Sequence, residues 1–480
     1  MAQSYLFWRK SADSWRESPL DGPKLRRHLG AWSLMLLGIG GIIGAGLFSL
    51  TGIAAAHYAG PAVVLSFVVA AVGCGFAALC YSELAGMIPV AGSAYSYAYA
   101  TMGELVAWII GWDLVLEYAV GAAAVSVSWS SYVVSLLREW GIALPTRWTA
   151  NPFDVVRLAD GATAHGIINL PALFIIVAIS GLLIRGISES STVNNVIVVI
   201  KVAVVLAVIG FGIPFIHAAN YHPFIPPNTG TFGHFGWSGI MRGAGTLFFA
   251  YIGFDAVSTA AQESKHPARD MPRGIIGSLI VCTVLYITFG IVLTGMVNYH
   301  SMLNDAAPVA TAIDLTGQAW LKNLVKIGII GGFTTVILVM LLGQSRVFFS
   351  MARDGLLPPA FARVHRRFHT PYLSNLIFMV LTGIMSAVLP IRQLAEMTSV
   401  GTLLAFIIVC GGVIVLRRTE PNHPRLFRVP GSPVVPALGI LVCLAMMVSL
   451  DTLVWIRLVV WLTIGLLVYG FYGRHHAFRN

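Results

Sequence analysis

The stretch LGIGGIIGAGLF, residues 37–48, decides how the fold of this chain is interpreted. It places five glycines within nine residues of an otherwise apolar run, and each glycine weakens a helix by about 1 kcal/mol relative to alanine. It does not match a dinucleotide-binding loop, because Ile43 stands where that motif needs its third glycine. Two interpretations stay open: small residues that let membrane helices pack closely, or a helix broken inside a membrane, whose freed backbone lines a polar cavity.

The composition of the chain indicates an integral membrane protein. Of its 480 residues, 57% are hydrophobic and only 10% are charged, whereas soluble domains carry roughly 25% charged residues. These are too few charged side chains to cover a water-soluble core, which excludes a cytosolic enzyme, a nucleic-acid-binding domain and a disordered protein. The 5 cysteines lack paired spacing, and the 13 histidines lie in loops or near the ends of apolar runs. We therefore predict neither a disulfide framework nor a metal site.

Long unbroken apolar runs predict about twelve transmembrane helices, because a hydrocarbon core of about 30 Å takes about 20 apolar residues per helix. The runs cover residues 33–57, 61–87, 104–137, 167–184, 193–217, 238–260, 274–297, 323–351, 372–391, 394–416, 433–450 and 452–473. With the N-terminus inside, most of the 30 lysines and arginines fall in inner segments. The positive-inside rule therefore predicts that both termini are cytoplasmic. The same distribution explains the net charge of +10 by topology, so no nucleic-acid partner is predicted.

A second interrupted run matches the first. The sixth run contains GAGTLFFAYIGFD, residues 243–255, in which glycines bracket aromatic residues and an aspartate ends the stretch. The first and sixth runs occupy corresponding places in two sets of five. Paired interruptions of this kind indicate a transporter built from inverted repeats, with its binding site where the two breaks meet.

These two stretches and the motifs that follow them resemble the amino acid–polyamine–organocation superfamily and, within it, the cationic amino acid transporter family of bacterial permeases. The further motifs are Glu263 followed by HPARDMPRGI at 266–275, GQSR at 343–346 and MARDGLLP at 351–358. The likeness extends from about residue 24 to 473 and implies an all-α membrane protein with a leucine-transporter-like fold: five helices, an inverted copy of them and two more. The implied segments are a cytoplasmic N-terminal segment over 1–30, repeats over 31–217 and 238–416, two additional helices over 417–473 and a cytoplasmic tail over 474–480.

The resemblance also implies that an α-amino acid binds between the two breaks. Backbone N–H groups at the start of the second half of the first broken helix can hold its carboxylate, and carbonyl groups freed in the second break can accept from its ammonium group. The implied substrate-binding residues are Ile42, Ile43, Gly44, Ala45, Gly46, Phe248, Phe249, Ala250, Ile252 and Asp255, supported by Gly41. Phe248 either packs or occludes the substrate, and Asp255 lies by the pocket or caps a broken helix end.

One lysine, Lys201, lies inside the fifth apolar run, where a charge costs at least about 2.5–3.5 kcal/mol. Snorkelling of its side chain toward the cytoplasmic end is one explanation. The resemblance implies another, because proton-coupled relatives carry a lysine at this place in helix five, where sodium-coupled relatives hold Na⁺. Lys201 is therefore a candidate proton-coupling residue between the first, fifth and eighth spans, with Thr334 and Thr335 as candidate oxygen neighbours.

Two carboxylates, Asp113 and Glu117, are four residues apart in the third run and face the same way. Three interpretations stay open: a structural pair with other helices, a pair that shares a proton, or a pair with Lys201. The resemblance places a functional glutamate at Glu117, which we predict to take part in proton coupling. Asp113 is a supporting candidate.

These features predict a secondary active transporter, not an enzyme, that imports α-amino acids with protons by alternating access across a bacterial inner membrane. Its partners are then the amino acid, protons and the lipid bilayer, with no cofactor. A small single-helix membrane protein is left open as a further partner. The alternative on the same fold is an exchanger of amino acids or polyamines, and a neutral or a cationic substrate fits equally well. The two broken helices disfavour a channel.

Overall fold

The computed structural model describes residues 29–88, 93–157, 162–186, 191–259, 264–303, 305, 307–368, 370–425 and 427–478. Most of the predicted N-terminal segment, Glu263 of the motif and the last two residues of the predicted tail lie outside these residues.

Helices make up most of the described chain. The longer ones, labelled in chain order, are α1 (Ala31–Ile42), α2 (Val63–Met87), α3 (Ser93–Thr101), α4 (Glu104–Glu139), α5 (Leu170–Ile184), α6 (Ser191–Gly212), α7 (Gly236–Leu247), α8 (Pro267–Met296), α9 (Ala319–Arg353), α10 (Tyr372–Val388), α11 (Ile391–Thr419), α12 (Val434–Ser449) and α13 (Thr452–Val468). One turn of α4, Leu116–Val120, is π-helical. Two short strands, β1 (Val155–Arg157) and β2 (Thr163–His165), pair antiparallel.

Several of these helices are suited to a membrane. Within the described residues, 7 helices are long and apolar enough to cross one: Gly46–Met87, Glu104–Glu139, Asn194–Phe215, Pro267–Met296, Ala319–Arg353, Ile391–Thr419 and Thr452–His476. Shorter apolar helices of 10–17 residues are α1, α5, α10 and α12. Large apolar side chains such as Val284 on α8 and Ile456 on α13 are exposed, as contact with lipid requires. The predicted helical membrane architecture is confirmed at this level.

The first glycine-rich stretch interrupts a helix. Residue Ile43 is extended, with ψ of 105°, directly after α1 ends at Ile42. A second helical stretch then begins at Gly46 and continues through short π- and α-helical pieces to Ala59. Because Ile43 leaves the helical conformation, the carbonyls at the end of α1 lose their intrahelical partners. The interpretation as a broken helix therefore holds for this stretch.

The sixth apolar run is interrupted as well. After α7 ends at Leu247, the chain forms a 3-10 turn over Phe248–Tyr251, and Ile252 is extended. Gly253 follows with φ of +118°, a conformation that side-chain-bearing residues rarely adopt. A short helix, Ala256–Thr259, resumes after this break.

Two elements were not predicted from the sequence. The helix α3 lies in the connection between the second and third apolar runs, and all its residues are buried. The hairpin of β1 and β2 lies in the connection between α4 and α5. Its strands are three residues each, too short for alternation of polar and apolar residues to reveal them.

A buried ion pair fastens one end of the helix assembly. Glu83, near the end of α2, accepts hydrogen bonds from Arg417 of α11 at 2.6 and 3.1 Å and from the backbone N–H of Val429 at 2.7 Å. The Nε atom of Arg425 lies 3.3 Å from the same carboxylate. Glu83 is 1% exposed, so water cannot replace these partners.

We expect Glu83→Ala to destabilise the protein by about 3–5 kcal/mol, because it leaves two guanidinium groups without their buried counter-charge. The measurement is the unfolding temperature of the purified protein in detergent. Lys322→Ala is the matched control, since the Lys322–Asp314 pair is 3.6 Å apart and partly exposed and should contribute about 1 kcal/mol or less. Equal losses for both variants would show that the buried pair contributes no more than a surface pair.

Candidate functional site

The two helix breaks touch each other through their backbones. A Cβ atom added to Gly253 would lie 2.6 Å from the carbonyl carbon of Gly41 and 2.7 Å from its oxygen. A Cβ atom on Gly46 would lie 2.2 Å from Cα of Ala250. Since real Cβ atoms do not approach so closely, the glycines both interrupt the helices and let the two breaks meet. Close packing, the other interpretation of the first stretch, is therefore part of the same arrangement.

A tyrosine hydroxyl from α8 joins the carbonyl groups of the two breaks. The Oη atom of Tyr286 lies 2.7 Å from the carbonyl oxygen of Ile42 and 2.9 Å from that of Ala250. A hydroxyl has one proton to donate, so it serves one of these carbonyls at a time. Sequence reasoning missed Tyr286; the available signal was a tyrosine inside an apolar run, since a buried tyrosine hydroxyl usually needs a partner.

The first break also contains the backbone N–H groups at the start of a helix. The second helical stretch begins at Gly46, and its first hydrogen bonds run from the N–H groups of Leu47 and Phe48 to the carbonyl of Gly44, at 3.2 Å each. The N–H groups of the first residues of a helix have no intrahelical partner, and the helix dipole makes that end positive. Residues 44–46 thus form the end of a helix that favours an anion.

Lys201 of α6 contacts the first break directly. Its side chain is buried, and its Nζ atom donates to the carbonyl of Gly40 at 2.7 Å. Its methylene carbons run along α9, where a Cβ atom on Gly332 would lie 3.0 Å from Cε of the lysine. The ammonium group therefore lies between α1, α6 and α9, which come from the first, fifth and eighth apolar runs.

Both threonines predicted beside Lys201 form hydrogen bonds with other groups. Thr334 accepts a hydrogen bond from the indole of Trp129 on α4 at 3.1 Å. Thr335 is buried and donates to the carbonyl of Gly332 at 2.9 Å. Gly332 itself contacts the lysine stem, and a role of the two threonines beside Lys201 stays a prediction.

Buried carboxyl groups gather at the second break. Asp255 accepts from the hydroxyl of Tyr118 at 3.2 Å and from the N–H of Gly253 at 3.3 Å. The carboxyl group of Glu117 lies beside that of Asp255, a pairing that sequence reasoning did not find. Neither oxygen of Glu117 has a hydrogen-bond partner within the described residues, so Lys201 does not bind it. Asp113, one turn earlier on α4, is buried as well.

A small cavity lies where these groups meet. It is lined by Gly41, Glu117, Tyr118, Ile252, Gly253, Val336, Val339 and Met340. The space within the cavity that the centre of a water molecule can occupy is about 20 Å³. This is enough for a water but not for an amino acid. Its wall on α9 is apolar. Phe248 lies edge-on to Phe406 of α11, with ring centroids 5.2 Å apart, and Phe249 is also buried.

Metal binding has no support in this part of the molecule. Among the described residues, no three His, Cys, Asp or Glu side chains are grouped so that they could hold a metal ion. The groups at the breaks are instead carbonyls, N–H groups, one ammonium and carboxyls. These can bind a small zwitterion and exchange protons.

Apolar helices around two facing breaks and a buried polar site define a multi-pass membrane protein of the transporter class. The sequence profile of the family described as "Amino acid permease" matches residues 29–465. The chain therefore belongs to this family, within the amino acid–polyamine–organocation superfamily.

Three relatives illustrate the match. The branched-chain amino acid permease BcaP of Bacillus subtilis is 44% identical over 472 residues, covering 98% of both chains. The methylthioribose transporter of the same organism is 43% identical over 456 residues, 95% of both. The chloroplastic cationic amino acid transporter 9 of Arabidopsis thaliana is 38% identical over 403 residues, 83% of this chain and 68% of the relative. The predictions of family and of a transporter rather than an enzyme are confirmed.

We expect Gly46→Ala to lower the stability of the protein, by about 1–3 kcal/mol or more, because the new methyl group overpacks the contact with Ala250. Gly44→Ala is the matched control within the same break, since its Cβ atom would lie 3.5 Å from the nearest atom, on Val336. Unfolding temperatures of the two purified variants provide the comparison. If Gly44→Ala were the more damaging change, the two breaks would not meet at Gly46.

Proposed function

We propose that this chain is a proton-coupled symporter that imports α-amino acids, with the substrate held between the two breaks. The observation that carries the proposal is the hydrogen bond from the buried ammonium group of Lys201 to the carbonyl of Gly40, at 2.7 Å. It links an ionisable group to the backbone of the break itself. A change in the charge of Lys201 therefore acts on the substrate site without an intermediary.

The substrate's two charged groups have separate places in this proposal. Its carboxylate binds at the N–H groups of residues 44–46, where the helix dipole favours an anion. Its ammonium group binds the carbonyls of Ile42 and Ala250, which the hydroxyl of Tyr286 occupies at 2.7 and 2.9 Å in this structure. The ammonium group has more protons to donate than the hydroxyl, so the substrate can satisfy both carbonyls together.

The cavity is too small for an amino acid in this structure. Transport then requires the breaks to separate from α9 and α11 before the substrate enters. We infer a leucine-transporter-like arrangement for this motion, with inverted repeats over 31–217 and 238–416 and two additional helices over 417–473. Rocking of one part of the bundle against the other gives alternating access around a fixed site.

Lys201 takes the place of a bound cation in this mechanism. A protonated lysine attracts the carbonyl of Gly40 as a sodium ion would. When the proton leaves, the hydrogen bond to Gly40 weakens and the end of α1 is released. Glu117, beside Asp255, is the second proton-coupling residue in this proposal.

The side chain of the substrate faces an apolar wall. Val336, Val339 and Met340 line the cavity from α9, and Ile252 lines it from the second break. Such a wall favours a neutral aliphatic side chain over a guanidinium or ammonium group, which loses its hydration against apolar side chains. A relative of 44% identity is named a branched-chain amino acid permease, which supports the same substrate class.

The distribution of lysine and arginine supports an orientation with both termini in the cytoplasm. The bacterial relatives support a location in the bacterial cytoplasmic membrane, where a proton gradient is available.

We expect Lys201→Ala to abolish uptake of labelled leucine into proteoliposomes under an inward proton gradient, because no cation then holds Gly40. Lys201→Arg should also lose gradient-driven uptake, since arginine does not release its proton. Lys326→Arg is the matched control: Lys326 is equally buried, but it pairs with Glu139 at 2.7 Å, and its charge is kept.

The same vesicles separate symport from exchange. Wild-type uptake that ignores the gradient but rises with internal amino acid would replace symport by the exchanger alternative. Gradient-driven uptake that persists in Lys201→Ala would remove the lysine from the coupling mechanism and leave symport standing.

Competition against labelled leucine tests the substrate class. Unlabelled valine and isoleucine should inhibit uptake, and arginine should need about tenfold higher concentration or more, since a charge that loses its hydration against the apolar wall costs at least about 1.4 kcal/mol. Methylthioribose and putrescine are the further competitors. Inhibition by arginine at the same concentration as valine would contradict the proposed apolar subsite.

A further inference from the structure

Asp113 is a buried carboxyl group to which the proposed transport cycle gives no role. It is 1% exposed, and neither of its side-chain oxygens has a hydrogen-bond partner in the part of the chain that the structure describes. An ionised carboxylate in such surroundings is strongly unfavourable unless a partner compensates it. The group is therefore most stable as the neutral acid, which carries a proton.

Within the residues that the structure describes, Asp113 has no charged hydrogen-bond partner. Gly401 of α11 faces it, and a Cβ atom there would lie 3.1 Å from its Oδ1 atom. Thr402, the next residue of α11, lies beside Glu117 and donates its hydroxyl to the carbonyl of Thr398. The ionisable neighbour on α4 is Glu117, one turn away, and the two carboxyl groups interact electrostatically.

Hydrogen-bond donors are unevenly distributed over the three buried carboxyl groups. Asp255 has two donors, the hydroxyl of Tyr118 and the N–H of Gly253. Glu117 and Asp113 accept from no donor within the described residues. Because hydrogen bonds to a carboxylate favour its charged form, Asp255 holds the negative charge best.

The helix α9 carries a further buried polar side chain, Gln344. The residue before it, Gly343, packs against the ring of Tyr118, which lies 3.3 Å from a Cβ atom added to the glycine. Gln344 is buried, and neither polar atom of its amide has a partner among the described residues. The cavity beside Glu117 has room for a water. A water can bridge two carboxyl groups one helix turn apart.

We propose that Asp113 is a proton-holding residue that passes protons between Glu117 and the end of the molecule at which α4 begins. This inference rests on the proposed proton symport. When the path to that end opens, the Asp113 acid releases its proton to water. The resulting carboxylate takes the proton of Glu117 through an intervening water, and Glu117 is reloaded from the substrate side. Each step moves one proton and breaks no other bond.

Infrared difference spectroscopy tests the protonation state of the resting protein. In Asp113→Asn, one band of a carboxylic-acid C=O stretch is expected to disappear at neutral pH, because an amide replaces a protonated acid of the same shape. Glu396→Gln is the matched control, because it removes a different buried carboxyl, which accepts a hydrogen bond from Tyr58 at 2.9 Å. This variant should leave the band assigned to Asp113 unchanged. Carboxylic-acid bands unchanged by Asp113→Asn overturn the proposal.

Transport tests the transfer step. In proteoliposomes, Asp113→Asn is expected to slow gradient-driven uptake by about 10²-fold, the range for loss of a proton-transferring group. Exchange of internal for external amino acid needs no net proton movement and should persist, which also shows that the variant is folded. Loss of exchange together with uptake makes Asp113 a structural residue and overturns the proposal.

Two further outcomes are distinguishable. Gradient-driven uptake at the wild-type rate in Asp113→Asn overturns the role of Asp113 and leaves symport intact. Wild-type uptake that does not respond to the gradient overturns the proposed symport and this inference with it.

Discussion

The contact between the two helix breaks is the constraint on which the rest of the structure depends. At Gly41 and Gly253 backbone meets backbone, and at Gly46 one helix approaches Ala250 of the other more closely than any side chain permits. This approach brings two sets of unsatisfied backbone groups together inside an apolar protein, where each needs a partner. The hydroxyl of Tyr286 and the ammonium group of Lys201 supply such partners. The backbone part of the polar site is therefore a consequence of helix interruption, and buried ionisable side chains complete it.

Much of the fold could be predicted because it follows from composition and from glycine placement. Apolar runs reveal membrane helices, and glycines inside two of them reveal the breaks. What escaped prediction depends on how helices rotate against one another. The pairing of Glu117 with Asp255 joins residues 138 positions apart on different elements, and no spacing in the sequence encodes it. The hydrogen bond from Trp129 to Thr334 illustrates the same point, since a rotation of part of a turn decides which residue of α9 faces the indole. The hydroxyl of Tyr286 has partners on two elements distant in sequence, which periodicity cannot reveal.

The ionisable groups of the site are divided between the two breaks. Lys201 bonds to the first break through Gly40, and the carboxyl groups gather at the second, where Asp255 is fixed by Gly253. Each break thus carries its own titratable centre, of opposite charge. In the proposed symport, a proton gained by the lysine strengthens its hold on the first break, while a proton gained by a carboxyl removes charge from the second. The two centres then make the geometry of the site sensitive to protonation at two separate points.

The small volume of the cavity has a consequence for binding strength. In the proposed mechanism, a site with room for only a water in this structure binds an amino acid only in the fraction of molecules whose breaks have moved apart. The apparent dissociation constant is then the intrinsic one divided by that fraction. Residues that stabilise the closed packing, including ones that never touch the substrate, weaken the measured affinity. A search for specificity determinants by affinity alone will therefore also find residues that set the conformational equilibrium.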